Sequence, residues 1–136
     1  MKIIIDTNII FSSLLSQNEK YLKLFKNYTF FAPNYLIYEI FKYKNKIVKY
    51  SNLSINEIDL FFEYILKNVY FKNENELSVK SLKTAYELCK DIDIKDSVFV
   101  ALTLDINGYL LTGDKKLFNK LKDKNSNRLI KLEELI

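Results

Sequence analysis

The side chains able to do chemistry in this chain are, before anything else, its carboxylates. Histidine is absent from all 136 residues. That absence removes imidazole acid–base work, the Ser-His and Cys-His nucleophile pairs and His-ligated zinc. The one cysteine, Cys89, excludes an internal disulfide framework and fits a reducing compartment. It stands at helical spacing from Leu82, Ala85 and Tyr86, as a buried small hydrophobe would. Hydrolytic chemistry must then run on carboxylates, lysines, hydroxyls or a metal held by oxygen.

Four acids have positions that matter. Asp6 closes the β-branched run KIIID, and Asp114 follows YLLTG. Each could simply cap the helix after it, since Asp is a favoured N-cap. Two acids at the carboxyl ends of two buried strands are harder to dismiss together than singly. Asp96, in DIDIKDSVFVALTL, opens a helix that is apolar nearly all round, and it shares a face with Val100. Asp93 holds the matching N-cap position, where a structural role suffices. Glu39 borders the apolar stripe formed by Leu36, Ile40 and Tyr43; taken alone it would be a solvated side chain.

Gathered in one crevice, these acids would repel and raise one another's pKa. Mg²⁺ or Mn²⁺ would relieve that repulsion, because hard cations prefer carboxylate oxygen and water. An ion so held activates water and orients a phosphodiester.

The elements that must position them read as alternating strands and helices. Lys2–Asp6 is a first strand, followed by helical spacing from about Thr7 to Phe25. Thr29–Ala32 is a second strand. Pro33 then stands where a helix usually starts, and a helix runs from Asn34 to about Tyr50 with Leu36, Ile37, Ile40, Phe41, Ile47 and Val48 as its apolar positions. Ser54 and Glu57 form a capping box for a helix carrying Ile58, Phe61, Phe62 and Ile65 inward. Val69–Phe71 is a third strand, and helices follow over about Glu74–Lys90 and Ile94–Ile106. Tyr109–Thr112 is a fourth strand, Asp114–Leu121 a short helix, and Arg128–Ile130 a fifth strand.

That alternation predicts an α/β fold, a parallel sheet with helices on both faces. Ligands bind beyond the carboxyl ends of such strands, where Asp6-Thr7-Asn8 and Gly113-Asp114 lie. No linker or repeat divides the sequence, so residues 1–136 are expected to form one domain. Two glycines and one proline leave little room for long irregular loops. No signal-peptide pattern follows Met1 and no apolar run approaches a membrane span, so a cytoplasmic protein is expected. A net charge of +4 permits a polyanionic partner without establishing one.

In combination, IIIDTNII, YLIYEIFKY, DIDIKDSVFVAL and YLLTGDKKL resemble a PIN domain, in order and spacing over essentially the whole chain. The resemblance implies a five-stranded parallel sheet of order 3-2-1-4-5, with the switch point between strands one and four. It puts Asp6, Glu39, Asp96 and Asp114 on the family's four acidic positions. Asn8 and Thr112 then fall on polar positions that orient the acids, and Asp93 on an auxiliary or capping one. Also implied is metal-dependent hydrolysis of RNA, with Asp6, Asp96 and Asp114 as metal ligands and Glu39 as a ligand or a positioner of the nucleophile. Small members of the family resemble VapC toxins, which cleave RNA, are commonly homodimeric and are silenced by a cognate antitoxin.

Lysines near the acids give modest support for an RNA backbone. Lys42, Lys44, Lys46 and Lys49 follow Glu39; Lys115, Lys116 and Lys120 follow Asp114. Ordinary solvated helix faces explain each of them equally well. Tyr35, Tyr38 and Tyr43 are suited to stack bases, though core or interface packing serves any one of them. Three rival readings remain. A phosphatase with an aspartyl-phosphate intermediate would need a second Asp where Asn8 stands. A receiver-like interaction module would use the acids only as caps. A PIN domain acting in RNA maturation would share the chemistry but not the toxin role.

Overall fold

The computed structural model describes residues 1–136. Five strands, β1 (Lys2–Ile5), β2 (Thr29–Pro33), β3 (Val69–Lys72), β4 (Tyr109–Leu111) and β5 (Leu129–Ile130), form one sheet of order β3-β2-β1-β4-β5. Every pairing is parallel. The central strand is also the most apolar: Ile3, Ile4 and Ile5 have no exposed surface. Burying each contributes roughly 1.5–3 kcal/mol. Such a run is what a strand covered on both faces requires.

Seven helices flank the sheet: α1 (Thr7–Ser16), α2 (Glu19–Asn27), α3 (Tyr35–Tyr50), α4 (Ile55–Asn68), α5 (Val79–Cys89), α6 (Ser97–Asp105) and α7 (Lys115–Asp123). Helix α6 packs on β1, β2 and β4 and against α5. Five of its nine residues, Phe99–Thr103, are buried, which is why its sequence carries no polar face. Helix α3 packs on β2, α1 and α4. Cys89 is fully buried at the end of α5, as its helical spacing predicts.

Three segments expected to be single helices are divided. The stretch from Thr7 breaks at Gln17, which is left-handed at φ 51°, and Asn18 restarts the helix by accepting the Lys20 N–H at 3.0 Å. Glu74–Glu76 is a 3₁₀ turn separated from α5, whose cap is Ser78. Ile94–Asp96 is likewise a 3₁₀ turn before α6. In the first two cases an Asn or Ser side chain takes the chain's N–H groups and sets a new start, whereas α6 follows its turn with no side-chain cap from Asp96. Pro33 ends β2 rather than opening α3. Phe41, expected among the inward residues of α3, is 62% exposed. The Ser54–Glu57 capping box is present as expected.

Gly108 fixes how closely the last turn of α6 approaches β1. A Cβ there would stand 2.4 Å from Ile4 Cδ1 and 2.9 Å from the Lys2 carbonyl oxygen. The second contact is with backbone and cannot swing away. Gly108→Ala should therefore cost about 1–3 kcal/mol, the usual range for overpacking, read by urea denaturation. An unchanged midpoint would show that the β1–β4 pairing yields more easily than this contact implies.

Candidate active site

The switch point lies where β1 and β4 run side by side, with Ile5 opposite Leu111. The pairing continues one residue further, because the Asp6 N–H donates to the Leu111 carbonyl at 3.0 Å. Asp6 is thereby carried into the interior, with 6% of its surface exposed. It occupies the N-cap position of α1, yet its side chain makes no capping hydrogen bond. Its Oδ2 instead accepts a 2.7 Å bond from the Thr112 hydroxyl. The same hydroxyl oxygen accepts the Asp114 N–H at 3.1 Å, so Thr112 ties the two strand-end acids together. Asn8 closes the loop from the other side, its Oδ1 accepting the Gly113 N–H at 3.1 Å.

Asp114 does cap its helix: Oδ1 accepts the Leu117 N–H at 3.1 Å. Asp93 caps the 3₁₀ turn by accepting the Lys95 N–H at 3.0 Å. Glu39, one turn into α3, reaches back to α1, and the Thr7 hydroxyl donates to its Oε1 at 2.7 Å. The sequence reading assigned Thr7 no role. Its signal was available in the D-T-N triplet, but the partner 32 residues away was not.

The carboxylates act on one another. Burial raises Asp6 from 3.8 to about 6; the Thr112 hydroxyl bond and the Thr7 amide oppose the rise, and the charges of Glu39 and Asp114 add to it. Asp96 is raised from 3.8 to about 7, first by burial and then by the charges of Asp6, Asp93, Asp114 and Glu39. Neither Asp6, Glu39, Asp96 nor Asp114 takes part in any of the chain's four ion pairs. The protein thus concentrates negative charge at the sheet's carboxyl edge and supplies no cationic side chain to balance it.

No three carboxylates stand together at metal-ligating spacing in the protein alone. Two of the acids are committed to other partners, Asp114 to its helix and Glu39 to Thr7. The donor set still suits a hard divalent ion: it is all oxygen, partly desolvated and otherwise unneutralised.

The lysines divide. Lys44 is ion-paired with Asp59 at 2.5 Å and points to α4. Lys42 lies 5.9 Å from the Tyr38 ring centroid and 5.4 Å from that of Tyr43. Lys115 lines a groove with Thr112, Gly113 and Asp114, and Lys116 is exposed beside it.

Thr112 provides a test of the acid pair. Thr112→Val keeps the shape but leaves the buried Asp6 carboxylate without its hydroxyl donor, at a cost of about 1–3 kcal/mol. Because that bond lowers the Asp6 pKa, its loss should move the Asp6 midpoint above about 6. Carboxyl-carbon NMR titration reads the shift, and Thr112→Ser should restore it; an unmoved midpoint would remove Thr112 from the site.

Comparison with known proteins agrees with this fold. The family model described as PIN domain matches residues 4–132. No curated protein matches the sequence. The fold is similar to that of VapBC2 from Rickettsia felis, solved bound to a DNA fragment from its promoter, with TM-score 0.64, 18% identity, and 96% of this chain and 97% of that one covered. It is similar also to PAE2754 from Pyrobaculum aerophilum, with TM-score 0.70, 16% identity, and 99% and 86% covered. A third similar structure is SSO1118, a PilT N-terminus domain protein from Sulfolobus solfataricus, with TM-score 0.59, 18% identity, and 99% and 90% covered.

Proposed function

Because the chain belongs to the PIN-domain family, we propose that it is a divalent-metal-dependent endoribonuclease built on Asp6, Glu39, Asp96 and Asp114. One observation carries the reading: a buried Asp6 carboxylate, without a cationic partner, shares the edge of the β1–β4 switch point with three further acids whose charges reach it or Asp96. Asp6, Asp96 and Asp114 would hold Mg²⁺ or Mn²⁺, with Glu39 as a further ligand or as a positioning group for the nucleophile. When bound, such an ion supplies a water of lowered pKa and neutralises charge on the phosphodiester.

The chain's own residues do the arranging. Thr112 fixes Asp6 Oδ2 and the start of the Asp114 loop; Thr7 fixes Glu39; Asn8 joins the β1 and β4 loops. Lys42 on α3, which carries Glu39, and Lys115 and Lys116 after Asp114 would hold the RNA backbone. Asp93 keeps the turn before Asp96 in place.

We place the protein, further, as the toxin of a VapBC-type pair, acting in the cytoplasm as a homodimer and silenced by a cognate antitoxin. The likeness of fold to VapBC2 over almost the full length of both chains supports this. No helix is long and apolar enough to cross a membrane.

The test is direct. Purified protein with Mg²⁺ or Mn²⁺ should cut single-stranded RNA internally, and chelator should stop it. Water as nucleophile predicts products without 2′,3′-cyclic phosphate ends. Cleavage that persists in chelator would refute the metal-dependent reading. Expression alone should arrest growth, with relief by the product of the neighbouring reading frame; harmless overexpression of active enzyme would refute the toxin role.

A further inference from the structure

We propose that the groove beside the acids, walled by Tyr35 and Tyr38, is a nucleobase subsite that seats one unpaired base of a single-stranded RNA. This rests on the ribonuclease reading above and extends it from the phosphate to a base. The groove has a volume of about 590 Å³ and runs between the start of α3 and the turn before α6.

The lining has the character a base requires. Tyr35 and Tyr38 stack with centroids 5.4 Å apart and an interplanar angle of 29°. Tyr35 is braced from behind by the edge of the buried Phe99 ring, at 6.4 Å and 73°. Its backbone N–H is held by Glu74 Oε1 at 2.5 Å, so the inner ring is anchored at both ends. Tyr38 is 56% exposed, which leaves ring surface free for a third aromatic plane. Ile94 and Val98 add apolar wall, and Asn34 adds an amide that caps no helix.

Position links the groove to the reaction. Lys95 and Ser97, both in the lining, flank Asp96 in the chain. Glu39 follows Tyr35 by one helical turn. The acids repel phosphates unless metal is bound, whereas a neutral base meets no such penalty in the groove. Lys42 near the outer ring and Lys95 on the opposite wall bring positive charge to where the backbone would pass. Stacking on aromatic side chains is the sequence-tolerant way to hold a single strand, and each stacked base contributes about 1–3 kcal/mol.

The test uses the Asp6→Asn protein, which would bind RNA without cutting it, and a short single-stranded RNA carrying fluorescent 2-aminopurine. Binding should quench the fluorophore through stacking. Adding Tyr38→Ala should abolish the quench and weaken binding about tenfold, the equivalent of one stacked base. Tyr38→Phe should retain both. An unchanged quench and affinity in Tyr38→Ala would overturn the proposal. So would a halving of the particle mass on Tyr38→Ala, because that ring would then belong to a contact between two copies. Tyr38-dependent quenching in a protein whose unmutated form cuts no RNA would remove the ribonuclease reading and leave the subsite. Cleavage without Tyr38-dependent quenching would do the reverse.

Discussion

Asp6→Asn should abolish RNA cleavage and, in metal-free protein at pH 8, raise thermal stability. The two effects have one cause. Asp6 is 6% exposed and raised to about 6 by burial, so at neutral pH the fold carries a carboxylate that would be better solvated unfolded. A displacement from 3.8 to about 6 corresponds to roughly 3 kcal/mol of folded-state penalty once the group is ionised. Asn removes the charge, keeps the shape and still accepts the Thr112 hydroxyl bond. A gain of about 1–3 kcal/mol in metal-free protein is therefore expected.

Activity should fall by more than about a hundredfold, since losing even an outer partner of a metal site costs 10–100-fold. Stabilisation at a cost to function is the signature of a site strained for chemistry. Were Asp6 merely a helix cap, Asn would serve as well and activity would be unaffected. Chemical denaturation at pH 8 in chelator, beside a cleavage assay, separates the cases. Loss of stability together with loss of activity would count against the reading, because it would make Asp6 structural.

How much of this could be read in the residues depended on range. The strands were legible because KIII and YLL are short apolar runs, and the acids just beyond them followed from the strand-end rule. Sheet order came from the resemblance, and the structure has it. Asp93 was read as a cap and is one, but the helix breaks were not read, although Asn18 and Ser78 are good caps. Apolar spacing carries through a break when both halves pack on one core, so periodicity alone bridged Gln17. Phe41 was read inward by the same periodicity, which marks a stripe but not its edge. Glu39 shows the deeper limit. Its link to the site is a hydrogen bond from Thr7 across 32 residues, and no local pattern encodes a contact that only the packing of α1 on α3 creates. Thr112 lay between these extremes: the resemblance placed it as a polar residue orienting the acids, but not as the hydroxyl serving both.

The second large expected effect is a stabilisation by divalent metal that appears only above about pH 6. Both Asp6 and Asp96 have raised folded-state values, about 6 and about 7. The native protein therefore binds more protons than the unfolded chain from about pH 4 upward, and metal-free stability should fall as pH rises through that window. It should level off near pH 8, when both are ionised in either state. Asp96 is less fully enclosed than Asp6, so solvent screens part of its contribution and Asp6 dominates the slope. Mg²⁺ or Mn²⁺ must displace those protons to bind. At pH 8, a concentration a hundred times the dissociation constant should restore about 2.7 kcal/mol. At pH 5 the same concentration should restore almost nothing. Asp6→Asn should flatten the metal-free slope and remove most of the metal response, whereas Lys44→Ala, which breaks only the ion pair with Asp59, should leave both intact. Thermal melts from pH 4 to 8, with and without metal, read all of this. A metal response equal at pH 5 and pH 8 would place the binding ligands away from the raised carboxylates and would sink the site as drawn.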